Sequence, residues 1–550
     1  MSRPQIPSLL GLGVLLALAA PLAAQNAPSP ATRLARAADS SVMWAHLRFL
    51  ADDALEGRAP ATRGGEIAAR YIAAQFERLG LEPAGDSGTY YHRVPIISLT
   101  PDPTLSLESA AGARQLTYPD DYVLWSMRNE PAVQTTGDVV FAGYGIVAPE
   151  FGWNDYQGLD VRGKIVLVLV NDPGLRDSTI FKGKALTYYG RWTYKIEEAA
   201  RQGAAGILMV HTPASATYGW ATVTGSWTGP QVRLESPATS LVVAGWLTES
   251  AAADLVKLGG GDLTDWTRAA GRKGFRGRAM NGVRVAAGVR SVLRRSRTYN
   301  VVGRLPGRGA KSAEAILIGG HYDHLGIRAP VNGDSIYNGA EDNASGTAAV
   351  LTAAEAFVRS GVRPGRSILF MAFAAEESGL IGSQAFAARP TLPLRNLAAV
   401  LNLDVMNVYG RTRDISALGV DQSSIGPVYR RAAAAENIRV TVNQDALIRG
   451  SFFRSDHFPF AKAGVPSLSV EGGSEFLGRP AGWGKQKSDE YEAQRYHQPG
   501  DEILPWFTMA GAIQQLRVVL RTALALADAP GQPVWTPGSE FRSVGEARVR

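Results

Sequence analysis

The chain is 550 residues long, 45% hydrophobic and 19% charged, values ordinary for a globular protein of two or three domains. It contains no cysteine, which excludes disulfides and a lipid-modified cysteine anchor. The net charge of +7 is modest for this length, and the densest basic stretch, residues 268–297, has Phe275 as its one interleaved aromatic; it reads as a solvated face and linker, and no nucleic-acid partner is expected.

Residues 9–24 are rich in Leu and Ala, follow Arg3, and turn abruptly polar after Ala24. That pattern is too short for a confident membrane span and predicts a signal peptide over residues 1–24, a secreted or periplasmic product and no stable membrane anchor after cleavage. Residues 41–81 carry Leu47, Leu50, Leu55, Ile67, Tyr71, Phe76 and Leu79 at helical spacing, with Gly80 as a C-cap. Residues 90–100 read as an edge strand, and Pro101-Asp102-Pro103 as a break.

From about residue 131 to residue 288 the pattern changes to short strands between Gly-rich turns: 139–145, 163–168 and 205–210, with a helix over 195–203. His211 is read there as a strand-end residue. After Thr298, apolar strands alternate with helices: strands at 316–319, 368–373, 397–403 and 467–470, helices at 348–358, 423–436 and 509–527. Strands that are apolar throughout predict an α/β fold with a mixed, mainly parallel sheet covered by helices on both faces. Residues 528–550, rich in Pro, Gly and charge, are expected to be a loosely held tail.

Five side chains of metal-ligand type punctuate this second half: His321, Asp342, Glu377, Asp404 and His497. Most end or follow an apolar stretch, and carboxylates at the mouths of buried strands call for a cation. In open α/β sheets ligands bind beyond the carboxyl ends of the strands, where His321, Asp404 and the pair Glu376-Glu377 fall. Two imidazoles and three carboxylates suit two divalent ions sharing one carboxylate, with zinc the best match. Glu376 is left over for proton transfer, and Asp323, two residues after His321, is placed to hold its ring. His324 is expected in the pocket wall. Ser455-Asp456-His457 invites a hydrolase triad, but adjacency in sequence does not define one, and a structural role near the site is expected for Asp456 and His457.

The strings G-G-H-Y-D-H-L-G, D-N-A-S-G, A-A-E-E-S-G-L-I-G-S, N-L-D, S-D-H-F-P-F-A-K-A-G-V-P and Y-H-Q-P-G-D resemble the co-catalytic dizinc exopeptidases, which include bacterial leucyl aminopeptidases and glutamate carboxypeptidase II. The resemblance covers roughly residues 299–527 and the helical segment 44–81. It implies two Zn2+ per chain, with His321 and Asp404 on one ion, Glu377 and His497 on the other, Asp342 bridging, and Glu376 as general base acting on a metal-bridged water. It also implies a cis peptide bond between Asp342 and Asn343. Residues 131–290 resemble the β-rich protease-associated domain inserted in relatives of this family, whose expected task is to wall one side of the cleft. The implied organisation is a signal peptide (1–24), a first part of the catalytic domain (33–130), the insertion (131–290), the main catalytic part (296–530) and the tail (531–550).

The activity expected from the resemblance is release of N-terminal amino acids from a peptide substrate. A carboxypeptidase of the same fold, acting on short or acidic peptides, is the alternative; Arg449 and Arg454 are then candidates to hold a substrate carboxylate. A glutaminyl-cyclase-like activity fits less well, because such relatives use one zinc and here all five ligand positions are filled. A non-catalytic receptor scaffold would show lost ligands, and none is lost.

Overall fold

The computed structural model describes residues 28–110, 112–235 and 239–550, so the predicted signal segment lies outside the described residues. The first helical region divides into α1 (Ser40–Leu50), capped by the Asp39 side chain, and α2 (Arg63–Arg78), capped by Thr62. What separates them is a turn over Asp53–Arg58, with Glu56, Gly57 and Arg58 in left-handed backbone at φ 51°, 67° and 53°.

The strands and helices that follow are β1 (Tyr91–Ser109), β2 (Tyr122–Ser126), β3 (Ala132–Phe141), β4 (Ile165–Leu169), α3 (Trp192–Arg201), β5 (Gly206–His211), β6 (Val243–Thr248) and β7 (Arg278–Leu305). The chain continues through β8 (Ala315–His321), α4 (Ser345–Ser360), β9 (Ser367–Phe373), β10 (Leu397–Leu403), β11 (Asp414–Leu418), α5 (Ile425–Ala434), β12 (Arg439–Thr441) and β13 (Ser467–Glu471). It closes with α6 (Trp483–Gln494), α7 (Met509–Asp528) and α8 (Arg542–Val549).

One sheet runs through the molecule in the order β12-β11-β13-β10-β8-β9-β7-β3-β4-β5-β6-β2. Strands β9, β8, β10 and β13 are mutually parallel, as are β3, β4, β5 and β6, and β7 lies antiparallel to both blocks. The mixed, mainly parallel sheet is therefore two parallel blocks joined through a single shared strand. At about 3.3 Å per residue the 28 residues of β7 span about 90 Å, enough to serve both blocks in turn. Its C-terminal end, Val301 to Leu305, pairs with β9, and its N-terminal half pairs with β3.

Three local expectations change. Strand β1 is neither an edge strand nor broken at Pro101-Asp102-Pro103: it pairs along β7 from Tyr91 to Glu108. The prolines are tolerated because N–H groups two residues apart point the same way. The carbonyls of Pro95 and Pro103 accept from Glu235 N and Tyr122 Oη, away from β7, so the donors these prolines lack belong to that outer edge. The basic stretch over 268–297 is largely strand, with Arg284, Arg290, Arg294 and Arg297 exposed along β7. The tail is not loose: Trp535 and Phe541 are buried with rings 5.1 Å apart, and Trp535 Nε1 donates to Gly464 O at 3.0 Å. Two aromatic anchors outweigh a Pro- and Gly-rich average.

The second parallel block has an apolar layer on each face. Ile316, Ile318, Phe370 and Leu401 pack with α4 and α7 through Val350, Leu351, Phe357, Leu516 and Leu520. Leu317, Leu369, Met371 and Val400 pack on the other face with Phe386, Phe460 and Val465. Met43, Leu47, Ile72 and Phe76 of α1 and α2 join the first layer. Between residues 180 and 190, Tyr188 reaches from the first block to Phe453 and Phe458, with ring centroids 6.2 and 5.2 Å away, and Lys462 Nζ meets Glu197 at 2.7 Å. Among the described residues no helix is long and apolar enough to cross a membrane.

Removing the larger tail anchor tests this packing. Trp535→Ala is expected to lower stability by about 3 to 5 kcal/mol, the usual cost of emptying a buried aromatic position; denaturant unfolding measures it, and a loose tail would give almost no change.

Candidate metal centre

Each strand of the second block delivers its chemistry at its C-terminal end. His321 is the last residue of β8, Glu376 and Glu377 follow β9, and Asp404 follows β10. Asp342 arrives from the loop before α4 and His497 from the loop after α6. Among the described residues, ligand atoms of His321, Asp342 and Glu377, and of His321, Glu376 and Asp404, lie within 4.8 Å of one another.

The distances divide the site into two halves around Asp342. His321 Nε2 is 3.2 Å from Asp342 Oδ1 and 3.3 Å from Asp404 Oδ1. His497 Nε2 is 3.5 Å from Asp342 Oδ2 and 3.0 Å from Glu377 Oε2. Asp342 thus turns one oxygen toward each imidazole. Glu376 Oε2 stands 3.9 Å from His321 Nε2, on the Asp404 side. For metal–ligand bonds of about 2.0–2.2 Å, the edges of a tetrahedron are about 3.4 Å, so both halves have the donor types and spacing that a four-coordinate divalent ion takes.

Burial and charge explain how the titratable groups sit. Burial pushes the Asp342 carboxyl up, but hydrogen bonds with His321 and His497 hold it well below the usual range. Glu377 is likewise lifted by burial and by Asp342, yet His324 and His497 bring it down to about 2. Burial disfavours charge on both imidazoles; Glu376 and Asp404 raise His321 well above its ordinary value, and Asp342 and Glu377 raise His497 to about 10. Glu376 goes the opposite way from Glu377: burial, with Glu377 and Asp404 close by, pushes it well up. Neighbouring carboxylates driven apart in this way are suited to different tasks.

The loop geometry depends on close backbone contacts. The Asp342–Asn343 peptide bond is cis, as expected. Asn343 ties this loop to the end of β10: its Nδ2 donates to Leu403 O at 2.9 Å, and its Oδ1 accepts from Gly346 N and Val405 N. A Cβ on Gly346 would lie 2.3 Å from Leu403 O, so only glycine permits the approach. Val405, directly after Asp404, has φ 56°, a left-handed conformation unusual for a β-branched residue.

Asp323 holds His321 by a different atom from the one its side chain suggested. His321 Nδ1 is 3.1 Å from the Asp323 carbonyl oxygen and 3.8 Å from its carboxylate. The carboxylate instead accepts the backbone N–H groups of Glu376 and Glu377, at 3.0 and 3.4 Å, and so anchors the turn that carries both. His324 lines the pocket with Nδ1 2.7 Å from Glu377 Oε1. Ser455, Asp456 and His457 form no triad: Ser455 donates to Asp404, Asp456 accepts from Ser383, and His457 packs edge-on against Phe452 at 4.6 Å. His211 ends β5, 3.0 Å from Tyr218 O.

Two supports of the site went unassigned in the sequence. Asp501 accepts backbone N–H groups from Glu341 and Asp342 at 2.9 and 3.0 Å, fixing the Asp342 loop from outside. It is the final residue of Y-H-Q-P-G-D, so its signal lay in a motif already quoted. Arg58 is fully buried and donates to the carbonyls of Leu50, Tyr322, Asn338 and Gly339. It thereby pins the residue after His321 and the loop entering Asp342 to the turn between α1 and α2. Nearby, Arg495 meets Glu341 at 3.3 Å and lies against the rings of Tyr491 and Trp506.

Residues 300–520 match the profile of peptidase family M28. Leupeptin-inactivating enzyme 1 of Streptomyces exfoliatus is 26% identical over 302 residues, covering 51% of this chain and 61% of that protein. A probable zinc metalloprotease of Pyrenophora tritici-repentis is 28% identical over 251 residues, 40% of this chain and 54% of the relative. Leucine aminopeptidase 1 of Arthroderma gypseum is 28% identical over 197 residues, 34% of this chain and 51% of the relative. The chain thus spans between about half and three-fifths of the length of these curated relatives. That match lies over the very segment that builds the two-lobed carboxylate–imidazole cluster, so it is residues 300–520 that are similar to peptidase family M28.

Proposed function

We propose that the protein is an exported, zinc-dependent aminopeptidase that holds two zinc ions and releases N-terminal amino acids from peptides. The observation that carries this reading is Asp342, one carboxylate turned toward two imidazoles that each have a second carboxylate partner. His321 and Asp404 would hold one ion, His497 and Glu377 the other, and Asp342 both; mixed imidazole and carboxylate donors at tetrahedral spacing suit zinc. Zinc bound there supplies Lewis acidity, which polarises the scissile carbonyl and acidifies the attacking water.

The chain's own residues then move the proton. Glu376, whose environment favours holding a proton, takes one from the attacking water and returns it to the nitrogen of the departing amine. Asp323 keeps Glu376 in place through its backbone N–H and, by its carbonyl, keeps His321 Nε2 directed inward. Residues 131–290 are read as a protease-associated insertion that walls the cleft, a role supported by the contacts of Tyr188 and Glu197 with residues 453–462. Export rests on the leader-like residues 9–24.

The carboxypeptidase alternative draws less support. Arg449 is paired with Glu492 at 3.0 Å, and Arg454 donates to Arg449 O, so both cations considered for a substrate carboxylate are engaged elsewhere.

Substituting the two adjacent glutamates separates catalysis from metal binding. Glu376→Gln is expected to keep both ions and lose about 10²- to 10⁴-fold in kcat, the range for a lost acid–base group. Glu377→Gln is expected to empty one ion site, read by elemental analysis. Equal metal content in the two variants would contradict the assignment of base and ligand.

Metal loading gives a third expectation. Neighbouring carboxylates favour the protonated form of both imidazoles in the metal-free protein, raising His497 to about 10, and both must be neutral to ligate, so uptake of zinc at pH 7 should expel protons. Affinity therefore weakens as pH falls, because protons compete for the same nitrogens. Calorimetry in buffers of different ionisation enthalpy counts the protons; zero released, or peptide hydrolysis that survives exhaustive chelation, would contradict the dizinc reading.

A further inference from the structure

The row of side chains that delivers the cluster continues past Asp404. Parallel strands β10 and β13 set Val400 beside Ser467 and Leu403 beside Val470, so the next step sets Asp404 beside Glu471, the last residue of β13. On its far side, antiparallel β11 places Ser416 opposite Glu471, and Ser416 Oγ donates to Glu471 Oε2 at 3.0 Å. Side chains in register on neighbouring strands share a face. Glu471 therefore stands on the face of Asp404, one strand spacing of about 4.8 Å beyond it.

This carboxylate has no countercharge. Its hydrogen-bond partners are the neutral side chains of Ser416 and Asn443, and among the described residues no cationic side chain pairs with it. Burial, with Asp404 nearby, pushes it up to about 7 against those two hydrogen bonds. By contrast, the buried carboxylate of Glu341 has Arg495 at 3.3 Å. A secluded carboxylate without a built-in cation is unfavourable by itself and ready to take one from outside.

Reach decides which cation that is. A carbonyl attacked within range of Glu376 lies over His321 and Asp404, and the α-nitrogen is two bonds of about 1.5 Å from it, so it stays over Asp404. A group that must cross a further strand spacing of about 4.8 Å sits at the end of a long side chain. We propose that Glu471 is the specificity residue of this site, pairing with the ammonium or guanidinium of an N-terminal lysine or arginine and giving a preference for peptides that begin with a basic residue. This rests on the aminopeptidase reading above.

The test compares wild type and Glu471→Gln on the p-nitroanilides of leucine, lysine, arginine and Nα-acetyl-leucine, with metal content measured for both. The ratio of kcat/KM for lysine or arginine over leucine is expected to fall about tenfold or more in the variant, the scale of a lost charged hydrogen bond. Glu471→Asp, which keeps the charge, should recover part of that ratio. An unchanged ratio, an equal loss on all free aminoacyl substrates, or loss of metal from Glu471→Gln would each overturn the assignment while leaving the aminopeptidase reading intact. Wild type that cleaves none of the four, or the acetylated one as readily as the free one, removes that reading and the Glu471 assignment with it.

Discussion

Mutual repulsion among buried carboxylates is the constraint around which this molecule is built. Asp323, Glu341, Asp342, Glu376, Glu377, Asp404 and Asp501 crowd the end of one parallel block, where each would be costly without a partner. The fold answers in three ways. Imidazoles of His321 and His497 sit between carboxylates, Arg495 answers Glu341, and backbone N–H groups are spent on Asp323 and Asp501. The carboxylates that remain face one another across a gap of ligand dimensions, which is where cations belong.

Arg58 shows how far that constraint reaches. It lies 264 residues before Tyr322 in the chain, yet its guanidinium holds carbonyls on both sides of the cluster. Its positive charge is buried near Asp323, Asp501, Asp342 and Glu377, all of which favour its charged form. The left-handed run at Glu56, Gly57 and Arg58 is the backbone cost of turning that side chain inward. The N-terminal helices are thus part of the site's frame.

Much of this was legible in the sequence, and the reason is local. His321, Glu377 and Asp404 each follow a short apolar run, so position after a strand and residue type together marked them, and their order did the rest. Arg58 carried no such mark because its partners are backbone carbonyls, which any residue supplies. The role of Asp323 divided for a similar reason: its carbonyl, which has no sequence signature, faces the imidazole, while its carboxylate serves two amides. The alternation of Val283, Val285 and Val289 with exposed residues was the sign of a strand, but the arginines in that stretch drew attention to charge. Likewise Trp535 and Phe541 were diluted by the prolines and glycines around them.

Strand β7 gives the molecule a mechanical property that a linker would not. Because both parallel blocks hydrogen-bond to the same uninterrupted strand, the first cannot swing away from the second without breaking a ladder. The first block is then a fixed beam, and its distance from the carboxylate–imidazole cluster is written into the sheet. A chain joined this way also lacks a seam at which one block can melt while the other stands, so heat or denaturant should meet a single cooperative body.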